Sequence, residues 1–282
     1  FGSDQTFFST NGTSTSNKII VASLVRPGDI VLVDRNCHTS HHHAFVQTGA
    51  HPLYLDAYSV HEHMIYGAVP LATIKRALLE LKRNGKLDRV KLVILTNCTF
   101  DGIVYHPLNV MKELLAIKPD LAFLWDEAWY AFATFASLPR HRTAMYAARA
   151  LESQLRSPEY VRAYEDWLSD TADIDPNDIE EWVKTPMMAD PELARVRVYS
   201  SQSTHKSLSA LRQGSMIHVQ DEDFERDVSE PFHQAFNAHT STSPNYQILA
   251  SLDLARRQAE LEGYAMVKEA YHIAFELRSR IA

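Results

Sequence analysis

Short apolar runs alternate with amphipathic stretches along this chain. Ile30-Val31-Leu32-Val33 ends at Asp34, residues 52–55 end at Asp56, and residues 91–95 run into Thr96-Asn97. Residues 121–125 end at Asp126, residues 196–199 run into Ser200, and residues 215–219 follow closely. Each run is about five residues long, β-branched or leucine-rich, and closed by a polar residue, the pattern of strands buried on both faces. Between them lie helical patterns at 71–84, with Gly85 as a C-cap, and at 108–117 before Pro119. Such alternation predicts an α/β fold with a mostly parallel sheet flanked by helices. In these sheets ligands bind beyond the carboxyl ends of the strands. The residues that follow each run are therefore where chemistry is sought.

Composition narrows the picture. The chain has 282 residues, 45% hydrophobic and 22% charged, which is ordinary for a soluble protein. No run approaches the ~20 apolar residues of a membrane-spanning helix, and no charged-then-apolar leader is visible. Residues 1–8 read as the approach to a strand, and 265–282 stop inside a helical pattern, so the chain reads as a fragment of a longer protein. The net charge of −7 argues against nucleic acid as a partner. Cys37 and Cys98 are expected to be free buried thiols in a reducing compartment.

Charge is unevenly spread. Residues 151–195 hold twelve Asp or Glu against four Lys or Arg, a local balance of −8. A helical acidic insertion at about 141–195 is expected. Ser157-Pro158-Glu159 and Asp175-Pro176-Asn177 each set a capping residue before a proline at the first helical position. Trp167 and Trp182 are expected on the apolar faces of the two helices that follow.

Several short segments carry possible chemistry. Asn11-Gly12-Thr13-Ser14-Thr15-Ser16-Asn17-Lys18 precedes a helical stretch at 19–24. Free N–H groups, hydroxyls and the positive end of a helix dipole make a phosphate cup there, although a plain capping loop has the same composition. In Ser200-Ser201-Gln202-Ser203-Thr204-His205-Lys206 a lysine follows a strand beside hydroxyls and an imidazole. It reads either as an amine nucleophile or as an exposed loop lysine. Asp126 ends an apolar strand, and such a carboxylate either pairs with a protonated pyridine nitrogen or caps a helix.

The run Cys37-His38-Thr39-Ser40-His41-His42-His43 invites a metal. Adjacent helical residues point about 100° apart, however, so only His38 and His42 are expected to share a face, and no metal site is expected. An imidazole stacked on an aromatic ligand is the better functional reading.

Taken in order, these segments, with Asp34-Arg35-Asn36-Cys37-His38, Thr96-Asn97-Cys98-Thr99-Phe100-Asp101-Gly102, Asp126-Glu127-Ala128-Trp129 and His239-Thr240-Ser241-Thr242-Ser243-Pro244, resemble the major domain of the ornithine/lysine/arginine decarboxylases. That family is a fold type I branch of the pyridoxal-phosphate enzymes. The resemblance covers about 1–135 and 196–248. It implies one cofactor-binding major domain over 1–282 and pyridoxal 5'-phosphate held through Lys206. Gly12, Thr13, Ser14, Ser203 and His205 would hold the phosphate, joined by Ser241 from a second subunit. His38 would stack on the ring, Asp126 would pair with the pyridine nitrogen, Ala128 would be a further cofactor-binding residue, and Trp129 would line the substrate pocket.

The implied reaction is decarboxylation of lysine, arginine or ornithine to the corresponding amine, within polyamine biosynthesis. The implied setting is the cytoplasm, in a homodimer or higher homo-oligomer with shared active sites. Thr39 and Glu127 depart from the pattern, which has lysine and serine there, and the acidic insertion makes the Asp126-to-Lys206 separation long. Rival readings are another fold type I reaction, such as an aminotransferase or lyase, and an inactive subunit serving assembly or regulation. An aminotransferase calls for an arginine clamp on the substrate carboxylate, and none is located in the sequence.

Overall fold

The computed structural model describes residues 1–281, and each of the apolar runs becomes a strand. In chain order the first elements are β1 (Gln5–Ser9), α1 (Thr13–Leu24), β2 (Ile30–Asp34), α2 (Thr39–Thr48) and β3 (His51–Leu55). The two-residue strands β4 (Ser59–Val60) and β5 (Ile65–Tyr66) pair only with each other. There follow α3 (Leu71–Arg83), β6 (Val90–Thr96), α4 (Pro107–Ile117), β7 (Ala122–Asp126) and α5 (Ala144–Leu155). The chain continues through α6 (Pro158–Asp170), α7 (Ile179–Lys184), β8 (Arg197–Gln202) and α8 (Thr204–Ser207). It closes with β9 (Ser215–Asp221), α9 (Ser229–His239) and α10 (Tyr246–Ile281). Ala282, the last residue of the helical pattern read at 265–282, lies outside the described residues.

The main sheet has seven strands in the order β1-β9-β8-β7-β6-β2-β3. From β8 to β3 every pairing is parallel, whereas β9 and β1 are antiparallel to their neighbours. The sheet is thus mostly parallel, as the alternation of runs predicts. Successive strand residues face opposite sides. Leu32, Val93, Leu95, Phe123, Trp125 and Val198 pack on one side with α3, α4 and α5. Val31, Val33, Leu92, Ile94, Leu124 and Tyr199 pack on the other with α1, α2 and α9. Two covered faces explain why the strands read as unbroken apolar runs.

Helix ends follow the sequence signals with two exceptions. After α3, Gly85 sits at φ +65°; its N–H meets the Lys82 carbonyl at 3.1 Å, and the Lys86 N–H meets that of Leu81 at 2.8 Å. A glycine-closed end of this kind satisfies carbonyls that the helix leaves free. Ser157 caps α6, accepting the Tyr160 N–H. The first exception is Asp175-Pro176, which does not start α7. Asp175 closes a turn on the Asn177 N–H, and Asp178 is the cap, accepting the Glu181 N–H at 3.0 Å. The second is α1, which starts at Thr13 and not near Ile19. Its polar first turns are satisfied from outside: Thr15 Oγ1 donates to the Asn11 carbonyl and Ser16 Oγ lies 2.9 Å from Ser215 Oγ.

The stretch set apart by charge enters the structure in two ways. The buried face of α5 (Ala144, Ala147, Ala148, Leu151) belongs to the core against the sheet. Beyond it, Trp167 and Trp182 lie with ring centroids 6.2 Å apart, partly buried against the same core. Buried Lys75 anchors the segment to α3, with Nζ 2.7 Å from both Glu113 Oε2 and the Thr185 carbonyl. The tryptophans therefore find their apolar partners within this chain.

Candidate active site

Parallel register brings the polar strand ends together. Thr96 lies opposite Asp126 in the β6–β7 ladder, and Asp126 lies opposite Ser201 in the β7–β8 ladder. Beyond these ends, and beside the N-terminus of α1, is a cavity of about 180 Å3. From the expected set, Thr13, Ser14, His38, Asp126, Ala128, Trp129 and Lys206 line it. A larger groove of about 430 Å3 runs along α10, but its walls are mostly apolar and Tyr271 is its one titratable residue. The smaller cavity is where the reactive groups converge.

The cup is a helix start. Gly12 is the N-cap at φ +76°, and nothing stands within 4 Å of where its Cβ would be. The Gly12 carbonyl accepts the N–H of Thr15 and Ser16, so the Thr13 and Ser14 N–H groups belong to the helix's open end. Thr13 Oγ1 is 2.5 Å from Ser203 Oγ and 3.1 Å from Ser215 Oγ. Gly12 and Ser203 do not line the cavity themselves; each adjoins Thr13, which does. The imidazole of His205 is turned to the Gly214 carbonyl, with Nδ1 at 2.9 Å.

Asp126 is 3% exposed. Its Oδ2 accepts from Asn17 Nδ2 and His41 Nε2, each at 3.0 Å, and its Oδ1 accepts the Ala128 N–H at 3.1 Å. Burial alone would raise its pKa; the hydrogen bonds from His41, Asn17 and the Ala128 N–H outweigh burial and hold the carboxyl below its usual range.

Lys206 stands in the short helix α8, with Nζ 4.4 Å from the centroid of the Trp129 ring, a cation–π distance. Partial burial lowers its pKa, and the Asp126 charge opposes that. His38 is the N-cap of α2, its Nδ1 accepting the Ser40 N–H at 3.2 Å, which fixes the ring at the cavity wall. Burial lowers its pKa, against the pull of Asp126.

Two expectations change. His38 is in extended backbone and outside the helix, so His38 and His42 do not form a helical pair. His41, one turn in, reaches Asp126, while His42 lies 2.9 Å from the Tyr54 hydroxyl. Cys37 and Cys98 are free but only partly buried, and both line the cavity. Burial, with Asp34 and Asp126 nearby, pushes the Cys37 thiol up to about 12. Glu127, although next to Asp126, turns away from the cavity into the core. It accepts from Asn97, Ala144 N–H, Ser200 and Gln202.

Ser241 is exposed and outside the cavity of its own chain. The residues that sequence reasoning did not single out are Asn17, Asn36, Thr96, Phe100 and His41. All five lie in segments quoted above without being given a part, and Thr96 had the further signal of closing an apolar run.

The family model for the Orn/Lys/Arg decarboxylase major domain matches residues 1–178 and 177–282. A lysine decarboxylase of Pseudomonas aeruginosa is 35% identical over 100% of this chain and 32% of its own length. The chain therefore spans about a third of the length of such curated relatives. The crystal structure of a Francisella novicida lysine decarboxylase matches 99% of this chain and 32% of that one, with a TM-score of 0.70 and 28% identity. For the fold alone, an N-succinyldiaminopimelate aminotransferase from Mycobacterium tuberculosis covers 98% of this chain and 56% of its own, at a TM-score of 0.57 and 13% identity.

Proposed function

The chain belongs to the ornithine/lysine/arginine decarboxylase family, by its major domain, and from that premise we propose that it carries the pyridoxal 5'-phosphate site for decarboxylation of a basic amino acid. The observation that carries this reading is the convergence of Lys206, Asp126 and the open start of α1 on one cavity beyond the ends of β6, β7 and β8.

The residues present fit the cofactor. An anionic phosphate suits the free N–H groups, hydroxyls and dipole of the α1 start, where Gly12 leaves open space. A pyridine nitrogen suits a buried carboxylate held ionised, as Asp126 is. Thr96 Oγ1, at the cavity wall, is buried with no partner among the described residues, as expected of a group that meets a polar ligand. When bound, pyridoxal phosphate supplies the electron sink for the pair left as the substrate's Cα–carboxylate bond breaks.

The protein's residues do the rest. Lys206 would hold the cofactor through its side-chain amine. Asp126 holds a proton on the pyridine nitrogen. Gly12, Thr13, Ser14, Ser203 and His205 take the phosphate, His38 covers a ring face, and Trp129 walls the substrate side. Carbon dioxide leaves, Cα takes up a proton, and the amine is released, within polyamine formation in the cytoplasm. Ser241, exposed and outside its own cavity, serves a partner's site in a homodimer or larger assembly. Product analysis of the full-length protein with lysine, arginine and ornithine tests the reading. The expected result is carbon dioxide with cadaverine, agmatine or putrescine, and release of a keto acid instead would overturn it.

A further inference from the structure

Around Asp126 the hydrogen bonds can be counted. A carboxylate offers about four lone-pair positions. Protein donors fill three: Asn17 and His41 on Oδ2, and the Ala128 N–H on Oδ1. One position remains, on Oδ1.

The state of His41 follows from its neighbours. Asp126 Oδ2 can only accept, so the Asn17 atom beside it is Nδ2, and Ser201 Oγ donates to Asn17 Oδ1 at 2.6 Å. The two hydrogens of Asn17 Nδ2 then go to Ser40 Oγ and Asp126 Oδ2, both at 3.0 Å. Neither is left for His41 Nε2, 3.2 Å away. The contact between His41 Nε2 and Asp126 at 3.0 Å therefore needs a proton on Nε2. The other ring nitrogen, Nδ1, is buried with no partner among the described residues, so a proton there would be an orphaned donor, which folded proteins tolerate less than a bare acceptor.

We infer that His41, held as the Nε2–H tautomer with Nδ1 bare, is a positioning residue that fixes the Asp126 carboxylate so that its one open acceptor, on Oδ1, receives the pyridine N–H of the cofactor. The inference rests on the proposed function for the identity of that last donor. His41 sits entirely behind Asp126, at 0% exposure, and touches no substrate. Its part is to keep Oδ2 saturated, so that the carboxylate neither rotates nor takes a proton itself.

Two measurements test this. The first is 15N NMR of the histidine-labelled, cofactor-free, full-length protein near neutral pH, with His41 assigned by its loss in His41→Leu. An Nε2–H signal is expected; an Nδ1–H or doubly protonated ring would overturn the inference. The second is pyridoxal-phosphate affinity of His41→Leu, which fills space without donating, and His41→Gln, whose amide N–H has a similar reach. The leucine variant should bind roughly tenfold or more weakly, as for loss of one hydrogen bond to a charged group, and the glutamine variant should recover most of that. Equal affinities in all three proteins, or equal loss in both variants, would reduce His41 to packing. If the leucine variant does not fold, the wild-type tautomer and the glutamine variant decide. Borohydride trapping of the cofactor on wild-type Lys206 separates the two readings. No trapped adduct sinks the proposed function, whereas an adduct with the wrong His41 tautomer sinks only this inference.

Discussion

Lys206 Nζ rests 4.4 Å from the centroid of the Trp129 ring, so the amine lies against an aromatic wall of the cavity while the residue as a whole stays exposed. Burial lowers the Lys206 pKa while Asp126 opposes it. Lys206 should therefore hold more free amine near neutral pH than an unperturbed lysine, whose pKa is about 10.4. Its reaction with pyridoxal phosphate, trapped by borohydride and located by peptide mapping, should reach half-maximal rate below that value. Asp126→Asn removes the opposing charge and should move the midpoint further down. Labelling spread over several lysines, with no preference for Lys206, would count against the site.

Asp126→Asn also tests the carboxylate's electrostatic role. An amide cannot hold the pyridine proton by charge, so turnover should fall by about 10²–10³, the usual cost of removing one such interaction, while the cofactor still binds. Steady-state kinetics beside a binding titration would reveal it. An unimpaired variant would leave Asp126 as a turn residue for the Ala128 N–H.

Glu127 should leave a different mark, on stability. Burial raises its pKa, against the pull of the Ala144 N–H, Ser200, Asn97 and Gln202. In the unfolded chain it titrates near about 4.3, so above that pH and up to its raised folded value the native state binds more protons. Stability then falls as pH rises through that window. Melting temperatures across the window should show this decline in the parent protein and lose it in Glu127→Gln. Parallel profiles for the two proteins would mean that the four donors cancel the cost of burial.

Ser241 bears on assembly. If it completes a partner's phosphate cup, Lys206→Ala and Ser241→Ala proteins, each impaired, should regain activity when mixed, because a mixed dimer contains one intact site. Assays after demonstrated subunit exchange check this. No recovery would confine Ser241 to its own chain.

The sequence by itself determined the strands, their mostly parallel arrangement and the place of Lys206 and Asp126. Strands buried on both faces must be apolar throughout, so the polar residue closing each run marks a strand end, and parallel strands bring those ends to one edge. Gly12 with its hydroxyls was legible for a similar reason, since an open helix start needs local partners. Tertiary structure alone decided the rest. Asn17 and His41 meet Asp126 across 109 and 85 residues of chain, and only the packing of α1 and α2 on the same face of the sheet puts them there. Glu127 and Asp126 are adjacent in sequence yet face opposite ways, because neighbouring residues at a strand end project to opposite sides. The partners of Trp167 and Trp182 were equally out of reach, since burial of an aromatic ring depends on what the fold lays over it.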